Sequence, residues 1–167
     1  GALTTFRELG AHPRVAAGWP LLAAAARVIG AAQIQNRATL GGNVANASPI
    51  ADGTPVLLAL AADLVLVSAG KTRTLALDDF FVGYRQTALL PGEIVHSIRV
   101  PLPVPAKNRF YKVSKRPLDD IAIVSGAFAG DLDPGGRVPS ARLAYGGVAP
   151  TPVRARAPEA ALVGRAG

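Results

Sequence analysis

Cysteine is absent from the 167 residues, as is methionine, and there are only two histidines. Without cysteine the chain can carry no disulfide, no thiolate zinc site and no iron–sulfur cluster of its own. His12 and His96 lie far apart, with no carboxylate or second histidine at metal-ligand spacing, so both read as structural or surface residues. Long apolar runs are missing too. Arg27 interrupts the longest alanine-rich stretch, and nothing reaches the ~18 residues that a spanning helix needs. No Gly-x-Ser-x-Gly elbow and no Gly-x-x-x-x-Gly-Lys-Ser/Thr loop occurs. Nothing at the N-terminus has the pattern of a signal peptide, so the default expectation is a cytoplasmic location.

Charged residues make up 17% of the chain and apolar ones 50%, a composition that folds around a core. The net charge of +7 is densest from Arg99 to Arg116, which holds Lys107, Arg109, Lys112 and Lys115 with Phe110 and Tyr111 among them. Such interleaving suits a single-stranded nucleic acid, a small polyanion such as a dinucleotide, or a solvated strand face.

The densest run of small residues is Thr39-Leu-Gly-Gly-Asn-Val-Ala-Asn-Ala-Ser-Pro-Ile-Ala-Asp52. Gly41 and Gly42 can take positive φ and turn successive N–H groups into one concavity, an anion nest. The plainer alternative is a tight turn over packed small side chains. Ser48-Pro49 and Thr54-Pro55 each read as an N-cap followed by proline at the first helical position, and helix starts favour anions.

In chain order, Thr5 to Glu8 fits a capping box and predicts a helix to Ala11, stopping before Pro13. A second helix starts at Pro20, with Leu21, Leu22, Ala25, Val28 and Ile29 on one face, and ends at Gly30. Gln33 to Arg37 is a polar lead into the Gly-Gly loop, and Pro55 to Ala61, apolar all round, predicts a buried helix beneath it. From Asp63 the period becomes two: a hairpin through Ala69-Gly70, a capped turn at Asp78-Asp79 and a strand from Glu93 to Val100. Pro101, Pro103 and Pro105 mark the best boundary, giving expected domains 1–103 and 104–167. Beyond it, strands at Arg109–Lys115, Ile121–Ala129 and Arg142–Val148 predict an antiparallel meander, with a helix beginning at Pro158. Lys112, between Tyr111 and Val113, needs an anionic partner if buried. No catalytic acid or nucleophile stands out, which suits a protein whose chemistry belongs to a redox cofactor.

Gln33 to Asn43, Ala47 to Asp52, Tyr111 to Arg116 and Asp119-Asp120-Ile121 together resemble the FAD-binding subunits of the molybdenum hydroxylases, above all xanthine dehydrogenase small subunits. The resemblance implies an α+β fold: the second half of a FAD-binding (PCMH-type) α/β domain, then a small antiparallel sheet domain like the carbon monoxide dehydrogenase flavoprotein C-terminal domain. It implies FAD as cofactor and electron transfer to NAD or another acceptor. Molybdopterin and 2Fe–2S clusters would lie on partner domains or subunits, with no nucleic acid and no membrane involved. Thr39 and the Gly41-Gly42-Asn43 backbone would hold the diphosphate; Asp52 would bond a polar part of FAD; Ile29 and Val95 would touch its rings; Lys112 would sit near the cofactor; Leu40 and Ser48 would also belong to the cofactor site. Tyr84, Asp119 and Asp120 would lie on the nicotinamide side. Family members begin with another glycine-rich segment, so the chain is expected to be truncated at both ends and inactive alone. Pro117-Leu118 stands where a more polar pair is common. The rival expectation, from the basic stretch, is a single-stranded nucleic-acid-binding module.

Overall fold

Local capping starts the fold where the sequence indicates. In the computed structural model, which describes residues 1–116 and 119–166, α1 (Phe6–Ala11) is closed by a complete capping box. The Glu8 N–H donates to Thr5 Oγ1 at 3.2 Å and the Thr5 N–H to Glu8 Oε2 at 2.7 Å. Pro117-Leu118 lies outside the described residues. Pro13 does more than end α1: it opens α2 (Pro13–Gly18), whose first turn is capped by His12, Nδ1 accepting the Arg14 N–H at 3.1 Å. A proline's missing N–H costs nothing at a first helical position, which is why it both stops one helix and starts the next.

The next helix, α3 (Pro20–Ala26), buries Leu21, Leu22, Ala23, Ala25 and Ala26 but is shorter than predicted. The chain leaves it through a turn, Gly30 sits at φ +62°, and Val28 is exposed. Gln33 to Arg37, read as a polar connection, overlaps α4 (Ala32–Gln35). After α5 (Leu40–Ala45), α6 (Gly53–Ala59) is buried along its whole length, as its apolar composition requires.

The first sheet is antiparallel, built from β1 (Asp63–Ser68), β2 (Lys71–Ala76) and β5 (Ile94–Arg99) in the order β2-β1-β5. Leu64 and Leu66 of β1 are fully buried. A 3₁₀ turn (Leu77–Asp79) leads to a small hairpin, β3 (Phe81–Gly83) and β4 (Gln86–Thr87), that the period-two pattern was too short to show. Arg73 ties β2 to the segment before β5, donating through Nε and Nη2 to Glu93 at 2.7 Å and through Nη2 to the Ala88 carbonyl. With the Leu90 N–H this holds the Glu93 carboxyl down to about 2. Because the folded value lies below the unfolded one, its contribution is full above pH ~4.5 and disappears as pH falls toward 2. Glu93→Gln should therefore lower the melting temperature at pH 7, with the gap to wild type closing on acidification through that window. A gap that stays constant with pH would assign the loss to something other than this carboxylate.

The second sheet is a meander of β6 (Lys107–Val113), β7 (Val124–Gly130), β8 (Ala141–Gly146) and β9 (Val153–Arg154), followed by α7 (Arg156–Leu162). β7 starts later than predicted, because Ile121 and Ile123 face solvent in the preceding loop. Ala127, Ala129 and Ala144 are buried where β7 and β8 lie against α6. Small side chains permit that close approach. Arg142 and Arg154 then fasten the sheet to Asp78, with closest approaches of 3.2 and 2.7 Å, and Arg142 Nε donates to the Leu58 carbonyl of α6 at 2.8 Å.

Candidate functional site

The Gly-Gly segment is not a positive-φ nest. Gly41 and Gly42 are helical residues of α5, with Thr39 at the N-cap accepting the Gly42 N–H on Oγ1 at 3.1 Å. The other N–H groups of that turn are also taken: Leu40 donates to Thr4 O at 3.0 Å, Gly41 to Ala2 O at 2.8 Å and Asn43 to Thr39 O at 2.9 Å. An anion thus finds no free backbone donor there. Glycine is required at 41 for a different reason, since a Cβ there would stand 2.5 Å from Ala2 Cβ and 2.7 Å from Ala2 O. The two Ser/Thr-Pro caps are corrected as well. Ser48-Pro49 forms a turn, and α6 begins at Gly53, so Asp52 takes the N-cap position and Thr54-Pro55 lies inside the first turn. Pro49 instead offers its carbonyl to the Gly147 N–H at 2.8 Å, stitching this loop to the second sheet.

A cleft of about 430 Å³ lies between this loop and Lys112 of β6. The structure brings Ile29, Asn43, Ser48, Asp52, Lys112, Asp119 and Asp120 together around it. Thr39, Leu40, Gly41 and Gly42 are not on its surface; they hold the backbone that presents Asn43, and Leu40 is in the core. Val95 packs against the core from β5. Tyr84 is exposed away from the cleft, whereas its neighbour Arg85 lines it. Sequence reasoning missed Arg85, Gly30, Ile34, Asn46 and Ile50. The signal for Arg85 was the tight Gly83–Gln86 hairpin, whose Arg85 takes φ +53°. Ala47 at φ +48° and Asp119 at φ +50° are also left-handed, so strained non-glycine backbone surrounds the cleft, as it does at many functional sites.

Across one wall runs a nearly buried ion pair. The pleat of β6 turns Asn108, Phe110 and Lys112 inward, and Lys112 Nζ meets Asp52 Oδ2 at 2.8 Å and the Val28 carbonyl at 3.0 Å. Burial pushes the Asp52 carboxyl above the usual carboxylate range, against the opposite pull of Lys112 and the neighbouring Ser125. Asp52 Oδ1 and Asn43 Oδ1 are buried with no hydrogen-bond partner among the described residues. Asp120 is held differently: the Arg116 and Ile121 N–H groups both donate to it at 2.9 Å, which pulls its carboxyl down and shapes the loop. The same pleat leaves Lys107, Arg109 and Tyr111 exposed on the opposite face, so Lys112 is turned away from the other cations of its strand. Among the described residues no acidic or histidine cluster could hold a metal, and no helix is long and apolar enough to cross a membrane.

Comparison with known proteins finds relatives for both parts of the chain. Residues 1–103 match the FAD binding domain in molybdopterin dehydrogenase, and residues 109–167 the CO dehydrogenase flavoprotein C-terminal domain. The glyceraldehyde dehydrogenase medium chain of Sulfolobus acidocaldarius is 38% identical over 99% of this chain and 58% of its own length. A xanthine dehydrogenase of Emericella nidulans is 44% identical over 80% of this chain but only 10% of its own length. In structure, the carbon monoxide dehydrogenase of Hydrogenophaga pseudoflava superposes over the whole chain and 58% of the matched chain, with TM-score 0.93 and 37% identity. The chain thus spans little more than half of its medium-chain relatives and a tenth of the xanthine dehydrogenase. By its domain matches, its fold and its identity to these oxidoreductases, the chain belongs to the FAD-binding domain family of the molybdopterin dehydrogenases.

Proposed function

We propose that the cleft around Asp52 and Lys112 holds part of FAD, and that this chain is the flavin-carrying element of a molybdenum hydroxylase. The observation that carries this reading is the buried acceptor Asn43 Oδ1, left unpartnered beside the nearly buried pair of Lys112 and Asp52. Nearly all buried polar groups in native proteins are satisfied, so a donor-bearing ligand is the natural complement of that atom. Ribityl and ribose hydroxyls are such donors, and Ile29, Ile34 and Ile50 supply the apolar surface that rings need.

Bound FAD supplies two-electron redox chemistry that no side chain here has. The chain's own residues bind and orient. Asn43 and Ser48 accept hydrogen bonds, Asp52 fixes Lys112, and Lys112 sets a positive field that favours an anionic reduced ring. Thr39 to Gly42 act indirectly, by fixing α5. Asp119 and Asp120 stand at the mouth, where with Arg85 and the more distant Tyr84 they would meet an acceptor. On this reading the division into 1–103 and 104–167 puts FAD at the seam. Iron–sulfur clusters and a molybdopterin centre on partner subunits or domains would supply electrons, and NAD or another acceptor would take them; this chain's part is to hold and orient the flavin. The substrate is set at the molybdenum centre, outside this chain.

The complete assembly is expected to be yellow and to bleach with dithionite. Asn43→Ala should weaken FAD about tenfold, or about 1.4 kcal/mol, one hydrogen bond's worth. An assembly purified without flavin that takes up none on reconstitution would overturn the reading.

A further inference from the structure

The register of β6 and β7 sets Ser125 directly across from Lys112, on the inward face. Ser125 is fully buried, and its hydroxyl has no partner among the described residues. The same holds for Asp52 Oδ1, while Oδ2 takes Lys112. A buried donor and a buried acceptor left apart each carry a desolvation penalty, so closing them on one another removes both. Ser125 also stands beside Asp52 and favours its ionised form.

The space for that hydroxyl is built by a neighbour. Gly146 of β8 pairs with Ser125, and a Cβ at 146 would lie 2.7 Å from Ser125 Oγ, 3.2 Å from Pro55 Cγ and 3.3 Å from Pro49 O. Those prolines belong to the loop and helix start that flank Asp52, and the Gly147 N–H pins Pro49 from the adjacent position. A side chain at 146 would push the hydroxyl and the Asp52 loop apart.

We propose that Ser125 is a positioning residue of the flavin site: its hydroxyl donates to Asp52 Oδ1, in room kept by Gly146, so that Asp52 holds Lys112 Nζ at the cleft wall. The charged groups facing this pair are few. Lys112 comes from β6, Arg85 from the β3–β4 hairpin, and Asp119 and Asp120 from the loop before β7. This assignment rests on the cleft being the flavin site, and the two claims separate experimentally.

The full-length protein in its assembly is labelled at the aspartate carboxyl carbons, Asp52 is identified through Asp52→Asn, and its titration is followed by NMR with and without FAD. Ser125→Ala is expected to raise the Asp52 midpoint by about one pH unit, a tenfold change in proton affinity, in both states. Ser125→Cys, which preserves bulk but donates poorly, should do the same, and Gly146→Ala should reproduce it with the serine still present. An unshifted midpoint in Ser125→Ala, or a wild-type midpoint in Ser125→Cys, overturns the positioning role. The flavin midpoint potential reads the other claim: Ser125→Ala should move it in the same direction as Lys112→Met, by a smaller amount. If Asp52 shifts while neither variant moves the potential, Ser125 positions Asp52 as stated but the flavin reading of the cleft, and with it the site-level claim, falls.

Discussion

Gly41→Val should cost the fold about 3 kcal/mol, the upper end of what overpacking a rigid site produces. Its Cβ would approach Ala2 within 2.5 Å of Cβ, 2.7 Å of O and 2.9 Å of Cα, and backbone atoms cannot rotate away as a flexible side chain can. Moving Ala2 also breaks the 2.8 Å bond from the Gly41 N–H and strains the 3.1 Å bond from Ala2 N–H to His96 O, which anchors the N-terminal segment to β5. Gly42→Val is the internal control. The nearest obstacle to its Cβ is Thr39 Oγ1, at 2.9 Å, so it disturbs one N-cap, worth about 1 kcal/mol. Denaturant unfolding of the two variants tests this. Equal losses would mean that the close packing of Ala2 on α5 is not what requires glycine at 41. Because the Gly41 N–H donates to protein rather than to a phosphate, any flavin loss in Gly41→Val should track the loss of stability.

How far the sequence could be read followed from how local each cause is. Thr5, Glu8 and the Ala69-Gly70 turn act within a few residues, and each formed where expected. The buried helix beneath the loop was legible because an apolar run with no polar face has only one place to go. What failed depended on long-range partners. Nothing near Gly41 in sequence reveals that Ala2 will lie against it, so a steric requirement looked like a conformational one. Arg85 reaches the cleft through a two-residue hairpin, and Ser125 is set across from Lys112 by a strand register, neither of which leaves a composition signal. Asp52 and Lys112, by contrast, were named from the family resemblance, and the observed 2.8 Å pair gives their juxtaposition a physical reason.

Lys112→Met is the substitution expected to act on stability and on the flavin together. It leaves Asp52, 7% exposed, without its cation, and breaking a buried ion pair on one side costs about 3–5 kcal/mol because the remaining charge stays desolvated. The sign with pH follows from Asp52. Its folded value already lies above the unfolded one, so holding it ionised costs stability above the folded value, and that cost is relieved as pH falls through it. Without Lys112 the folded value rises further, so the deficit should be largest near neutral pH and shrink on acidification. Lys112→Met combined with Asp52→Asn removes both charges and should recover most of the loss. A double variant as unstable as the single one would show that the lysine stem's packing, not its charge, was at stake. For the flavin, removing a cation disfavours the anionic reduced form, and the midpoint potential should fall by on the order of 30 mV, which for a two-electron couple corresponds to about 1.4 kcal/mol. The double variant should restore that potential in part, because Asp52→Asn removes the anion that opposed the reduced ring without returning a positive charge to the cleft. A potential lowered in Lys112→Met and raised again by Asp52→Asn is therefore the pattern that assigns this pair an electrostatic role toward the flavin, and a potential unmoved in both variants would reduce Lys112 to a partner for Asp52.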